Sequence, residues 1–240
     1  MDLMTDNPVT PIDPTDIDFD RAYRDGTLME GVVLDRMPWD IGEPQHLVVE
    51  LEAAGQFSGE VLDIGCGLGN NSVYLATRGY RVTGADAAPT AIEQARARAA
   101  ERNIPVTFEV ADATTLTGYD GRFDTVLGSS LLHCLDPAGR RAHVAALARI
   151  LRPGARVIEF CFPGDGLTQG YSPFPIEESE LRTLFSDPDW TLTTFRRDRI
   201  DAVALPGTFL DTVREAGGDI QLDGSGGMTL PTWVLVATRN

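Results

Sequence analysis

The sequence predicts an α/β fold, a mostly parallel sheet with helices on both faces. Two observations carry that prediction. A short apolar run, Val61-Leu62-Asp63-Ile64, leads into Gly65-Cys66-Gly67-Leu68-Gly69 and then into a helical pattern from Asn70. This order reads as a buried parallel strand, a tight turn and a helix N-terminus, with glycines that let the backbone come close to a ligand. After it, strand-like and helical runs alternate as far as residue 162, as they must when helices connect parallel strands.

Each element has a local reason. Residues 1–18 mix Asp, Pro and Thr with few apolar side chains and read as a flexible leader. A short helix is expected over 19–25, then an ordered loop over 37–45, dense in Pro and Gly around Trp39. Leu47, Val48 and Leu51 give 46–54 helical spacing, stopped by Gly55. The first strand is 61–64, and the helix over 70–78 ends at Gly79, a suitable C′ residue. A second strand, 81–85, ends at Asp86. Pro89 then opens a helix reaching about 102, at the position where its missing N–H costs nothing. Val106, Phe108 and Val110 alternate as a third strand, ending at 111–113. A fourth strand, 123–127, turns at 128–130. The helix over 138–151 puts Val144, Leu147, Ile150 and Leu151 on one face, and Arg152-Pro153-Gly154 breaks it before a fifth strand, 156–162. Then come a loop with Tyr171 and Phe174, a helix over 177–186 and a strand over 190–196. An insertion over 199–230, with its own helix over 208–216, precedes a last strand, 232–238.

Composition narrows the function. The chain's 240 residues, 42% hydrophobic, suffice for one substantial domain, and no apolar run approaches a membrane span. No basic-then-apolar signal pattern opens the sequence, so a cytoplasmic location is expected. The net charge is −16, no lysine occurs, and residues 1–43 hold 11 acids against Arg21, Arg24 and Arg36. Such a chain lacks the basic footprint that nucleic-acid phosphates or anionic membranes require. A small-molecule substrate is the expectation that remains. Cys66, Cys134 and Cys161 are an odd, widely spaced set without metal-ligand spacing, which predicts reduced thiols and no metal.

Two ligand classes use a strand, a glycine turn and a helix in this way. A dinucleotide places its pyrophosphate on the helix N-terminus, with the usual spacing G-x-G-x-x-G. Here the spacing is G-x-G-x-G, Asn70 follows the third glycine, and Asp63 lies two residues before the first. A carboxylate there would repel a diphosphate but suits the ammonium and sulfonium of S-adenosylmethionine (SAM). Asp86, seventeen residues after Gly69, can accept ribose hydroxyls or serve as a helix N-cap. Asp112 can bind a ligand or simply close a turn. The glycine stretch resembles motif I of the class I SAM-dependent methyltransferases. Pro38-Trp39-Asp40-Ile41-Gly42-Glu43-Pro44-Gln45, just upstream, resembles a box in the thiopurine, halide/thiol and bacterial heterocycle methyltransferases.

That likeness covers about residues 19–163. It implies a Rossmann-like class I methyltransferase fold over 19–240, with seven strands and the last antiparallel, and SAM as cofactor. It places Gly65, Cys66, Gly67, Asn70, Ala87 and Ser129 around the cofactor, Cys66 lending its backbone N–H. Asp86 would then bind the ribose, and Asp112 with Ala113 the adenine. Residues 19–55 become a lid with the Trp39 indole near the sulfonium, a cation–π contact worth roughly 0.5–2 kcal/mol; Trp39 could instead close the core against the sheet. His133 is a candidate general base, or a polar residue with a satisfied hydrogen bond. His46, His133, Tyr171 and Phe174 are candidates to line the acceptor pocket. The expected reaction is methyl transfer to an O, S or N nucleophile of a small aromatic or heterocyclic molecule. Two rivals share these residues: an NAD-dependent oxidoreductase, opposed by Asp63 and Asn70, and a SAM-binding protein without catalysis.

Overall fold

The computed structural model describes residues 17–29, 32–168, 171–224 and 226–240. The expected leader, up to residue 16, lies outside them. The first helix is α1 (Phe19–Asp25), where Asp18 accepts the Arg21 N–H at 3.0 Å. A small hairpin, β1 (Thr27–Met29) and β2 (Val32–Val33), follows it. Helix α2 (His46–Ala53) buries Leu47, Val48 and Leu51, the three residues whose spacing predicts it. The alternating body comprises β3 (Glu60–Ile64), α3 (Asn70–Thr77), β4 (Arg81–Asp86), α4 (Pro89–Glu101), β5 (Thr107–Val110), β6 (Phe123–Ser129), α5 (Pro137–Ile150) and β7 (Leu151–Cys161). It is completed by α6 (Glu178–Leu184), β8 (Trp190–Val203), α7 (Gly207–Glu215), β9 (Gln221–Leu222) and β10 (Gly227–Arg239).

The main sheet has the order β5-β4-β3-β6-β7-β10-β8, with β9 beside β10. Strands β3 to β7 pair in parallel, whereas β10 runs antiparallel to both β7 and β8. Period-two alternation assigns the central strands' residues to two main cores, while Phe108 of β5 packs with Val73, Ile92, Ala95 and Ala99 in a third, smaller one. Val61, Leu127 and Ile158 join Leu47, Val48 and Leu51 of α2 in one cluster. Leu62, Ile64, Val126 and Val157 pack with Val144, Leu147 and Ile150 of α5 in the other. Chain order reverses between β3 and β6, which makes the carboxyl ends of those strands the place for a ligand. No described helix is long and apolar enough to cross a membrane.

Two expectations need correction. Arg152-Pro153-Gly154 does not separate α5 from its strand, because β7 begins at Leu151. The tripeptide lies in a bulge: Gly154 has φ 81°, and pairing with β6 jumps from Phe123–Leu151 to Thr125–Arg156. The insertion over 199–230 is also shorter than expected. Strands β8 and β10 pair from Trp190–Arg239 to Val203–Gly227, with one register shift between Val236 and Ala237, so only 204–226 leaves the ladder. Arg196, Arg197, Asp198, Arg199 and Asp201 fill this stretch of β8 and hide its alternation on an edge strand where charge is tolerated.

Candidate functional site

The glycine loop is tight and largely self-satisfied. Gly65, Gly67 and Gly69 have φ values of 71°, 52° and 79°, a region that side chains seldom enter. A Cβ on Gly67 would lie 2.7 Å from the Tyr23 hydroxyl, and one on Gly69 would lie 2.6 Å from the Phe108 ring. The loop's amides are mostly committed to the protein. Gly65 and Cys66 both donate to the Ala85 carbonyl, at 2.8 and 3.0 Å, and Gly69 donates to Cys66. The Gly67 N–H donates to Asp86 Oδ2 at 2.9 Å. Cys66 therefore does not lend its N–H to a ligand, as was expected of it. A pyrophosphate would find few free donors here.

Beside the loop a cavity of about 360 Å³ opens at the carboxyl ends of β3, β4 and β6. Of the candidates from the sequence, Trp39, Gly65, Cys66, Gly67, Asn70, Asp86, Ala87, Ala113, Ser129, His133 and Tyr171 all line it. Asp86 is the polar centre of the loop end. Its Oδ2 is held by Gly67 and its Oδ1 by the Ala88 N–H at 2.9 Å, which leaves lone pairs on both oxygens. Burial raises its pKa, while these backbone donors oppose the shift. The Cys66 thiol is pushed well above its usual range by burial and by the Asp63 and Asp86 carboxylates, so it is no nucleophile.

Trp39 belongs to both the cavity and the core. It packs against the α2-side cluster and has Phe19 and Tyr23 at ring distances of 5.9 and 6.0 Å. Its buried Nε1–H lacks an acceptor in hydrogen-bond geometry, although the Tyr23 hydroxyl is close enough to feel it. The loop around it is clamped by side chains. Arg98 grips both Asp40 oxygens at 2.9 Å, and Asn70 donates to Oδ1 at 3.3 Å. Burial disfavours the Asp40 charge, but the Arg98 fork outweighs it and holds the pKa below its usual value. Gln45 donates its N–H to Asn71 Oδ1 at 2.9 Å. Its side chain bridges the Asp201 backbone, accepting from N at 3.0 Å and donating to O at 2.9 Å.

Four candidates do not reach the cavity. Asp63 is 1% exposed, behind the loop, where Oδ2 accepts from Ser72 Oγ at 2.5 Å. It cannot meet a ligand's ammonium directly. Asp112 spends Oδ1 on the Thr114 N–H and hydroxyl, at 2.8 and 2.7 Å, and is a turn residue. His46 is turned outward and pairs with Asp201 Oδ2 at 2.6 Å. The Phe174 N–H donates to the His133 carbonyl, so Phe174 fixes the wall without forming it.

His133 lines the cavity but is not the base expected of it. Its ring stacks on Phe162 with centroids 3.9 Å apart, and Nδ1 accepts the Phe162 N–H at 3.2 Å. Burial, aided by the Arg140 charge, lowers its pKa to about 3. The ring is thus neutral, with its proton on Nε2. Sequence reasoning missed Tyr23, Gln45, Phe162, Asp201 and Met228, all on the cavity wall. Only Gln45 left a signal, as the last residue of the Trp39 box.

The family model described as a methyltransferase domain matches residues 61–154. The 2-heptyl-1-hydroxyquinolin-4(1H)-one methyltransferase of Mycobacteroides abscessus is 36% identical, over 92% of this chain and 96% of that protein. A solved structure concerned with the conversion of a disulfide bond into a thioacetal group during echinomycin biosynthesis is 33% identical. It covers 92% of this chain and 91% of that one, with a TM-score of 0.74. Magnesium protoporphyrin IX methyltransferase from Synechocystis, solved with bound SAM, shares the fold at 22% identity and a TM-score of 0.58, over 81% of this chain and 77% of that one. The alternating sheet, the glycine loop and a full-length relative agree: the chain belongs to the class I SAM-dependent methyltransferases.

Proposed function

We propose that this chain binds SAM in the glycine-loop half of the cavity and transfers its methyl group to a hydroxyl oxygen of a flat, uncharged heteroaromatic molecule. The observation that carries the acceptor class is the wall itself. Among the described residues no arginine lines the cavity, and its wall includes the apolar Phe162, Ile200, Met228 and Leu230 together with the Trp39 and Tyr171 rings. The full-length relative named for a hydroxyquinolone supports an N-hydroxyl or phenolic oxygen as nucleophile. A cytoplasmic setting fits three free thiols, though they carry no part of the reading.

The residues fit the cofactor. Asp86, with lone pairs to spare, would hold the ribose hydroxyls, Ala111 and Ala113 would flank the adenine, and the Trp39 indole would cover the sulfonium. Bound there, SAM supplies an electrophilic methyl group. The protein's own part is placement: seating the acceptor oxygen in line can contribute about 7–11 kcal/mol, and the apolar wall excludes water. The His133 Nε2–H is suited to donate to a ring carbonyl of the acceptor.

Calorimetric titration with SAM and S-adenosylhomocysteine (SAH), followed by assay with 2-heptyl-1-hydroxyquinolin-4(1H)-one, tests this reading. Micromolar binding and methylated product are expected, and Asp86→Ala should weaken binding roughly tenfold or more. Binding of NAD instead would restore the oxidoreductase. SAM binding with no turnover across hydroxylated heterocycles would restore the non-catalytic binder.

A further inference from the structure

With His133 neutral and its acceptor nitrogen taken by the Phe162 N–H, the acceptor's proton needs another destination. The other titratable groups on the wall are mostly unfit. Tyr23, Cys66 and Cys134 are driven upward by burial, Tyr171 likewise, and Asp40 is neutralised by Arg98. Asp86 holds the glycine loop, and Glu43 is exposed. Asp201 remains. It lines the cavity with its side chain 35% exposed, between the buried Ile200 and Ala202, and the buried Gln45 amide fixes its backbone on both sides. One oxygen, Oδ2, is held at 2.6 Å by His46 Nδ1, while no described residue bonds the other. The charges nearby are already paired: Glu50, one turn along α2 from His46, with Arg196; Asp198 also with Arg196; and Arg199 with Asp219.

We propose that Asp201 is the general base of the transfer and that His46 positions it. The inference rests on the methyl-transfer reading above. As the acceptor oxygen bonds to the methyl carbon, the carbon–sulfur bond breaks with its electron pair left on sulfur. The hydroxyl proton passes to Asp201 Oδ1 and later to water. A carboxylate is basic enough for this because the hydroxyl becomes strongly acidic as its oxygen gains the new bond. The same carboxylate sets specificity: a neutral O–H donor satisfies it, whereas an anion does not. His46 donates Nδ1–H to Oδ2, so that Oδ1 is the oxygen presented to the acceptor.

The test is Asp201→Asn and His46→Gln assayed on ring-substituted 1-hydroxyquinolin-4-ones of graded hydroxyl acidity. In Asp201→Asn, kcat should fall roughly 100-fold for the least acidic member and only about threefold for members already ionised at the assay pH. His46→Gln should show the same trend more weakly. A uniform loss across the series, or none, overturns the proposal. A second readout needs no turnover. In the SAH complex the bound quinolone hydroxyl, followed by absorbance, should ionise at higher pH in the wild type than in Asp201→Asn. Equal titration in both proteins overturns the proposal as well. SAH affinity is measured in parallel, and failure of the wild-type chain to bind SAH would overturn the methyl-transfer reading instead.

Discussion

Asp63 shows how a residue that marks a site in the sequence can serve it from behind. Burial, offset in part by Ser72, raises its pKa to about 6, and Oδ1 has no hydrogen-bond partner. Against an unfolded value of 3.8, the folded state penalises the ionised form by about 3 kcal/mol. The folded pKa is the higher one, so the contribution to stability is full below about pH 4 and is lost as pH rises through about 6. Asp63→Asn keeps an acceptor for Ser72 and removes the charge. The stability of the wild type relative to this variant should therefore fall by about 3 kcal/mol between pH 4 and pH 8, as read by urea unfolding at both. An unchanged difference would show that the fold leaves the Asp63 pKa at its unfolded value and imposes no penalty on the charge. Gly65, Gly67 and Asp86 were legible because each follows or ends a strand whose carboxyl end opens on the cavity, and Trp39 because of the Pro/Gly-dense box around it. Asp112 and His46 were not, because Thr114 and Asp201 compete for their side chains. Asp201 was invisible for another reason: its partner Gln45 is 156 residues away, and spacing carries no such pairing.

At the scale of elements, the segment over the cavity is a loop held by side chains. Residues 37–45 contain no helix or strand. Their hold consists of the Arg98–Asp40 fork, the Gln45 bridge to β8 and the Val203 N–H donating to the Pro38 carbonyl at 2.8 Å. Removing the fork leaves a nearly buried carboxylate with only the Asn70 amide, at 3.3 Å, and Arg36, at 3.7 Å. Breaking such a pair costs more than a surface ion pair contributes. Arg98→Ala is therefore expected to speed hydrogen exchange at 37–45 and weaken SAH binding roughly tenfold, with a fall in Tm of only a few degrees. Collapse of the whole fold would make the fork a core element. The body of the fold was legible because burial on alternate residues, or on every third and fourth, leaves a period in the sequence. It failed where another demand overrode the period: at Gly154, where a bulge absorbs the tripeptide, and along β8, where Arg and Asp occupy an edge strand's open face.

For the molecule as a whole, charge selects what can enter. The chain carries −16, and four of its acids, Asp40, Glu43, Asp86 and Asp201, line the cavity. Among the described residues no arginine lies beside them on the wall, and only Asp40 has an arginine partner, Arg98. Two like charges 8 Å apart at an effective dielectric constant of 20 repel by about 2 kcal/mol. An acceptor bearing a ring carboxylate should thus have kcat/KM at least about tenfold below its methyl amide, which has nearly the same shape. The share of that penalty arising from the surface acts over a Debye length of about 10 Å at 0.1 M salt and about 3 Å at 1 M. Raising the salt should narrow the gap without closing it, because Glu43 and Asp201 are open to ions whereas Asp86 is half-buried against the glycine loop. Steady-state kinetics of the acid and amide at two salt concentrations would decide the matter. A carboxylate acceptor used as well as its amide would mean that a cation reaches the cavity, and the uncharged-acceptor reading would fall with it.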